Sequence, residues 1–152
     1  MSSEVTIRYE GAMRAEGQLP EGGNLSIGAP PSCGGSGGGP SPKDLFAAGY
    51  ASCVVMAMDI AAKKNGFDIA GAEIVVSPVW AKKEPVLAEV NATVVLPRQY
   101  TEEQKSVLRK GSHNCPIHNS LRAEVKTNLT FEVAQGVRQD VAVEDAADLL
   151  KR

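Results

Sequence analysis

Few side chains in this sequence could do covalent chemistry. Cysteines stand at 33, 53 and 115, and the two histidines, His113 and His118, flank the last of them. Such a set is open to metal ligation, to thiol redox chemistry or to inert burial. Structural zinc sites bring at least one tight C-x2–4-C pair, whereas successive cysteines here are 20 and 62 residues apart and the histidines add only a loose cluster around Cys115. Thiol chemistry runs through the thiolate and therefore needs local positive potential. Pro116 suits a first helical position, which makes Cys115 an N-cap whose sulfur faces unsatisfied backbone N–H groups. Cys53 lies within an apolar helical stretch, where burial raises a thiol pKa and leaves it inert unless a buried cation reaches it. On residue physics alone, Cys115 is the better nucleophile and Cys53 reads as a core cysteine.

The Gly-rich run APPSCGGSGGGPSP (residues 29–42) is conspicuous but lacks the G-K-[ST] ending of a phosphate-binding loop, and Pro40 breaks G-x-G-x-x-G. It reads as a flexible connector that lets backbone approach the following helix closely and leaves Cys33 exposed.

The elements that must position these residues are signalled locally. Residues 5–10 and 13–28 predict two or three short strands. Ser41 as N-cap, Pro42 at the first helical position and Asp44 as a near capping box open a helix running to about Asn65, with Gly66 as its exit. After Asp44 that helix is apolar or small on every side, which predicts burial all round. Residues 73–80 and 87–96 alternate as strands around the loop AKKEP. Thr101 with Gln104 caps a polar helix ending near Gly111, residues 123–133 form the cleanest strand, and the tail, residues 137–152, predicts a short amphipathic helix. Strands, buried helix, strands, helix and strand give an α+β class, with helices packed on antiparallel sheet.

Composition is that of one ordinary globular domain spanning residues 1–152. Hydrophobic residues make up 43%, charged residues 22%, and the net charge is −2 without a basic stripe, which argues against nucleic acid as partner. The apolar stretch from Leu45 to Met58 is too short to span a bilayer. The N-terminus carries no secretory pattern, so a cytoplasmic location is expected.

PSPKDLFAAGYASC (residues 40–53), followed by HNCPIHNSL (residues 113–121), resembles the OsmC/Ohr superfamily of hydroperoxide-detoxifying proteins, in its broader OsmC-like branch. The resemblance covers roughly residues 5–134. It implies antiparallel sheets wrapped around a long buried central helix, in an intertwined homodimer. It also implies that Cys53 is the peroxidatic thiolate and Cys115 the resolving thiol, reversing the order that residue physics gives. An arginine from the N-terminal strands would supply the missing cation, oriented by an acid at the start of the long helix. Arg14 is the first candidate for that arginine and Arg8 the second, with a plain surface arginine as the alternative. The acid would be Asp44, nine residues before Cys53, because Lys43 occupies the position ten before it where the Ohr branch has its acid. A simple capping carboxylate is the competing reading of Asp44.

The implied reaction needs no cofactor and no metal. Cys53 would reduce an organic hydroperoxide, Cys115 would close a disulfide, and an external dithiol would reopen it, lipoyl-type for some members. Leu45, Phe46, Val54 and Met56 would wall the site and favour organic peroxides. The alternative is a redox-sensing or small-molecule-binding protein of the same fold with little turnover. His113 and His118 flank Cys115 and are expected to be ordinary surface or interface polar residues, the alternative being a histidine that assists thiolate formation.

Overall fold

A computed structural model describes residues 4–134 and 137–138. It is an α+β chain that divides between Phe46 and Ala47 into two compact units.

The first unit holds three antiparallel strands, β1 (Thr6–Gly11), β2 (Arg14–Gln18) and β3 (Asn24–Gly28), in that spatial order. The β1–β2 turn places Ala12 and Met13 at positive φ, and the Met13 N–H donates to the Tyr9 hydroxyl at 3.2 Å. The Gly-rich run after β3 makes the close backbone approach expected of it, but to β3 itself, with the Gly28 N–H donating to Pro40 O at 3.2 Å and the Gly37 N–H to Ala29 O at 2.9 Å. Gly35 and Gly39 are needed there, because a Cβ on either would collide with the backbone carbonyl of Ala29 or Ser26.

Helix α1 (Pro42–Lys64) begins in this unit. Ser41 and Asp44 form the anticipated box: the Asp44 N–H donates to Ser41 Oγ, and the Asp44 carboxylate accepts the Ser41 N–H at 2.8 Å and its hydroxyl at 2.7 Å. The helix leaves through Gly66 at φ 78°, and the Phe67 N–H returns to Ala62 O.

The second unit packs the rest of α1 with helices α2 (Glu102–Ser112) and α3 (Pro116–Asn119) and a sheet ordered β4 (Glu73–Trp80), β5 (Leu87–Leu96), β6 (Lys126–Val133), β7 (Val137–Arg138). The sheet departs from the antiparallel expectation at one seam. β5 and β6 run parallel, paired from Glu89↔Lys126 to Leu96↔Val133, because α2 and α3 carry the chain back to the start edge before β6 begins. β6 also starts at Lys126 rather than 123, after a turn closed by the Val125 N–H on Arg122 O. The tail helix expected for 137–152 is replaced at Val137–Arg138 by a strand paired with β6, and residues 139–152 lie outside the described residues.

Alternation on β5 buries Val90, Ala92, Val94 and Leu96, and β6 adds Phe131 and Val133. α1 contributes Tyr50, Val54, Ala57, Met58 and Ala62, while Met56 and Ile60 remain 63% and 56% exposed. The helix is thus buried along one stripe and not all round. At 23 residues it is long and apolar enough to cross a membrane by length and composition, but that buried stripe marks a core helix. α2 approaches it so closely that a Cβ on Gly111 would stand 2.7 Å from Ala61 Cβ. This contact brings the end of α2, and the Cys115 turn that follows, onto α1.

Candidate active site

Cys115 arrives by local chemistry. α2 is opened by the Thr101–Gln104 box, with the Gln104 N–H donating to Thr101 Oγ1 at 3.2 Å and Gln104 Oε1 accepting the Thr101 N–H at 2.9 Å. Its last turn hands over to Cys115, the N-cap of α3 with Pro116 at N1. The Cys115 sulfur accepts the His118 N–H at 3.4 Å. Cys53 reaches the same place from α1, close enough for the two thiols to act on each other's ionisation. Cys33 is exposed, Cys53 half-buried and Cys115 fully buried.

Burial pushes the Cys115 thiol above its ordinary 9.0, reinforced by the hydrogen bond with Cys53 and only partly offset by the backbone N–H groups of His118 and Ile117. The N-cap predicted for Cys115 is present, but it does not bring this thiol below its ordinary value. One short helical turn gives too little positive potential to offset complete desolvation.

Tyr50, which the sequence reading left aside, and His118 stand beside Cys115. The Tyr50 hydroxyl and His118 Nδ1 are 2.9 Å apart. Tyr50 is pushed up to about 12, first by burial and then by the negative charge that Cys115 and Cys53 can carry. His118 is held below 6.5 by burial and by His113, whose ring meets it edge-on at 5.6 Å; His113 is itself lowered by burial. A cavity of about 10 Å³ opens beside the pair, bounded by Val54 and Ser112 and by Thr127 and Leu129 of β6. Of the apolar walls anticipated, Val54 lines this cavity, while Met56 is exposed. Tyr50 has one local signal: it stands three residues before Cys53, on the same helical face.

Among the described residues, no group of three or more histidine, cysteine and acidic side chains is arranged to hold a metal. Arg14 and Asp44 belong to the first unit. Arg14 is exposed, its guanidinium lying over Gly38. The Asp44 carboxyl is lowered by its hydrogen bonds to Ser41. Arg8 pairs with Glu10 at 2.9 Å on the surface.

Comparison with known proteins identifies the family and the fold. The family model described as OsmC-like protein matches residues 35–130. An uncharacterised protein of Acinetobacter baylyi is 32% identical over 112 residues, covering 72% of this chain and 77% of its own. A Xanthomonas axonopodis protein named organic hydroperoxide resistance protein is 29% identical, covering 71% and 78%. Among solved structures, an OsmC-like protein from Mycoplasma pneumoniae superposes with a TM-score of 0.77 at 17% identity, over 88% of this chain and 97% of its own. An organic hydroperoxide resistance protein from Legionella pneumophila gives 0.71 at 23%, over 88% and 98%. At those identities the structural matches speak for the fold.

Proposed function

This chain belongs to the OsmC-like protein family, and on that premise we propose that it is a cysteine-based peroxidase reducing organic hydroperoxides to alcohols. The observation that carries the reading is the contact between the Cys53 and Cys115 thiols, brought together from two separate helices. The name organic hydroperoxide resistance protein, borne by relatives from Xanthomonas, supports the substrate class.

The half-buried Cys53 is the thiol a substrate can meet, and the fully buried Cys115 suits a resolving role. The Cys53 thiolate attacks the distal peroxide oxygen, the alcohol leaves, and Cys53 becomes a sulfenic acid. Cys115 condenses with it to a disulfide and releases water, and an external dithiol, of the lipoyl type in this proposal, restores both thiols. Arg14 is proposed as the cation that favours the thiolate, with Asp44 as its acidic partner. The working form is proposed to be a cytoplasmic homodimer. Met56 and Ile60, one turn apart and exposed on α1, support a second copy covering that stripe.

A sensor reading draws on the Asp44 carboxylate, which is already engaged by Ser41. The two readings differ in stoichiometry. With cumene hydroperoxide and dihydrolipoamide or dithiothreitol, a peroxidase consumes many equivalents per chain and Cys53→Ser abolishes the consumption. One equivalent only, or equal turnover in Cys53→Ser, would overturn the peroxidase reading.

A further inference from the structure

The resolving step poses a problem that the site has to solve. Cys115 is fully buried and must lose its proton before its sulfur can attack Cys53. Bulk water does not reach it, and no carboxylate or lysine is among its contacts described above. A hydroxyl and an imidazole are present instead: Tyr50 Oη stands 2.9 Å from His118 Nδ1, and the backbone N–H of the same histidine holds the Cys115 sulfur at 3.4 Å.

We propose that Tyr50 and His118 form a relay that accepts the Cys115 thiol proton during disulfide closure and fixes the sulfur while it does so. The inference rests on the peroxidase reading for its biological context, but the relay itself needs only an oxidised Cys53. The pair is assigned as a Tyr50 hydroxyl donating to the unprotonated Nδ1 of a neutral His118, which carries its proton on Nε2.

The step balances without an added reagent. The thiol proton passes to Tyr50 Oη as the tyrosine's own proton moves to His118 Nδ1. The Cys115 electron pair forms the S–S bond as the Cys53 S–O bond breaks. The departing hydroxide then recovers the proton from the imidazolium by the same path and leaves as water. Cys53 sulfenic acid is the oxidant, the thiol pair is oxidised, and the relay ends as it began.

The electrostatics suit this assignment. Tyr50 keeps its proton to about pH 12 and senses both sulfurs, so it conducts a proton and does not hold a charge. His118 stays neutral at pH 7 because burial and His113 lower it. The groups facing it are Tyr50 from α1, His113 from the end of α2, and Cys115 on its own turn with Cys53 beyond. β6 contributes Thr127 and Leu129 to the adjoining cavity, neither charged.

The test bypasses hydroperoxide. In a Cys33→Ser background, dithionitrobenzoate modifies the half-buried Cys53, and attack by Cys115 then releases the second thionitrobenzoate, which is followed by stopped flow. Closure in the parent should rise with pH through the range below 6.5, where His118 becomes neutral, and then level off. Tyr50→Phe should slow closure roughly tenfold or more and move the pH dependence to the thiol's own range above 9. His118→Gln should do the same, and it stands in should Tyr50→Phe fail to fold. Both variants closing at the parental rate with the parental pH profile would overturn the relay. Closure with the expected pH limb in a protein that consumes no cumene hydroperoxide would support the relay and count against the peroxidase.

Discussion

The Cys115 sulfur accepts the His118 N–H at 3.4 Å, yet its thiol is harder to ionise than an ordinary cysteine. Position at a helix start and reactivity are separable, and desolvation decides between them here. Cys115 should therefore be the slowest of the three cysteines to react. Brief iodoacetamide treatment of the native protein near pH 7, a range in which only the thiolate fraction reacts, should label Cys33 and Cys53 before Cys115. Peptide mass mapping reads the order, and Cys115 labelling as fast as Cys33 would contradict it.

The same environment gives stability a pH dependence with two arms. Tyr50 and Cys115 have folded-state pKa values raised above 10.0 and 9.0, so the unfolded chain loses those protons first. Their contribution is complete below about pH 9 and declines as pH rises toward 12. For Tyr50 it is roughly 2 kcal/mol after allowance for solvent screening. His113 and His118 are lowered from 6.5, so their contribution is present above that value and declines as pH falls. Urea unfolding across pH should show both arms, and Tyr50→Phe should flatten the alkaline one between 10 and 12.

Gly111 stands where α2 crosses α1. Alanine is ordinarily the better helix former by about 1 kcal/mol, but its methyl would meet Ala61 Cβ and the Met58 backbone, neither of which can swing away. Gly111→Ala should destabilise by about 1–3 kcal/mol and slow Cys53–Cys115 closure, because the same crossing carries the Cys115 turn. A denaturation midpoint equal to or above the parent would refute this.

The two candidate arginines are distinguishable. Both are exposed, and Arg8 is paired with Glu10, so alanine at either should leave the unfolding midpoint nearly unchanged. If Arg14 is the cation that serves Cys53, Arg14→Ala should lower kcat/KM for cumene hydroperoxide about a hundredfold and Arg8→Ala should not. The reverse pattern would transfer the role to Arg8.

What the sequence made legible is local. Ser41 with Asp44, Thr101 with Gln104, and Cys115 with Pro116 each mark a helix start through hydrogen bonds that span three residues, and all three form. The period-2 pattern of residues 87–96 marked β5 correctly, because alternation is a property of the strand itself. It carries no information on a partner's direction, so the parallel seam with β6 was invisible. Tyr50 was passed over for a related reason: its partner lies 68 residues away, and nothing near it in sequence calls for an imidazole. The Gly-rich run signalled close backbone approach, but glycine names no partner, so its packing on β3 was not legible.

The parallel seam between β5 and β6 also sets an order of events as the chain folds. A hairpin can zip from its turn, but a parallel pair must wait until its crossover is in place, and here the crossover consists of α2, α3 and the Cys115 turn. Residues 97–125 must therefore settle against α1 before β6 can dock. During synthesis Cys53 emerges long before the segment that delivers its partner. The proximity of Cys53 and Cys115 is thus among the last features to be assembled.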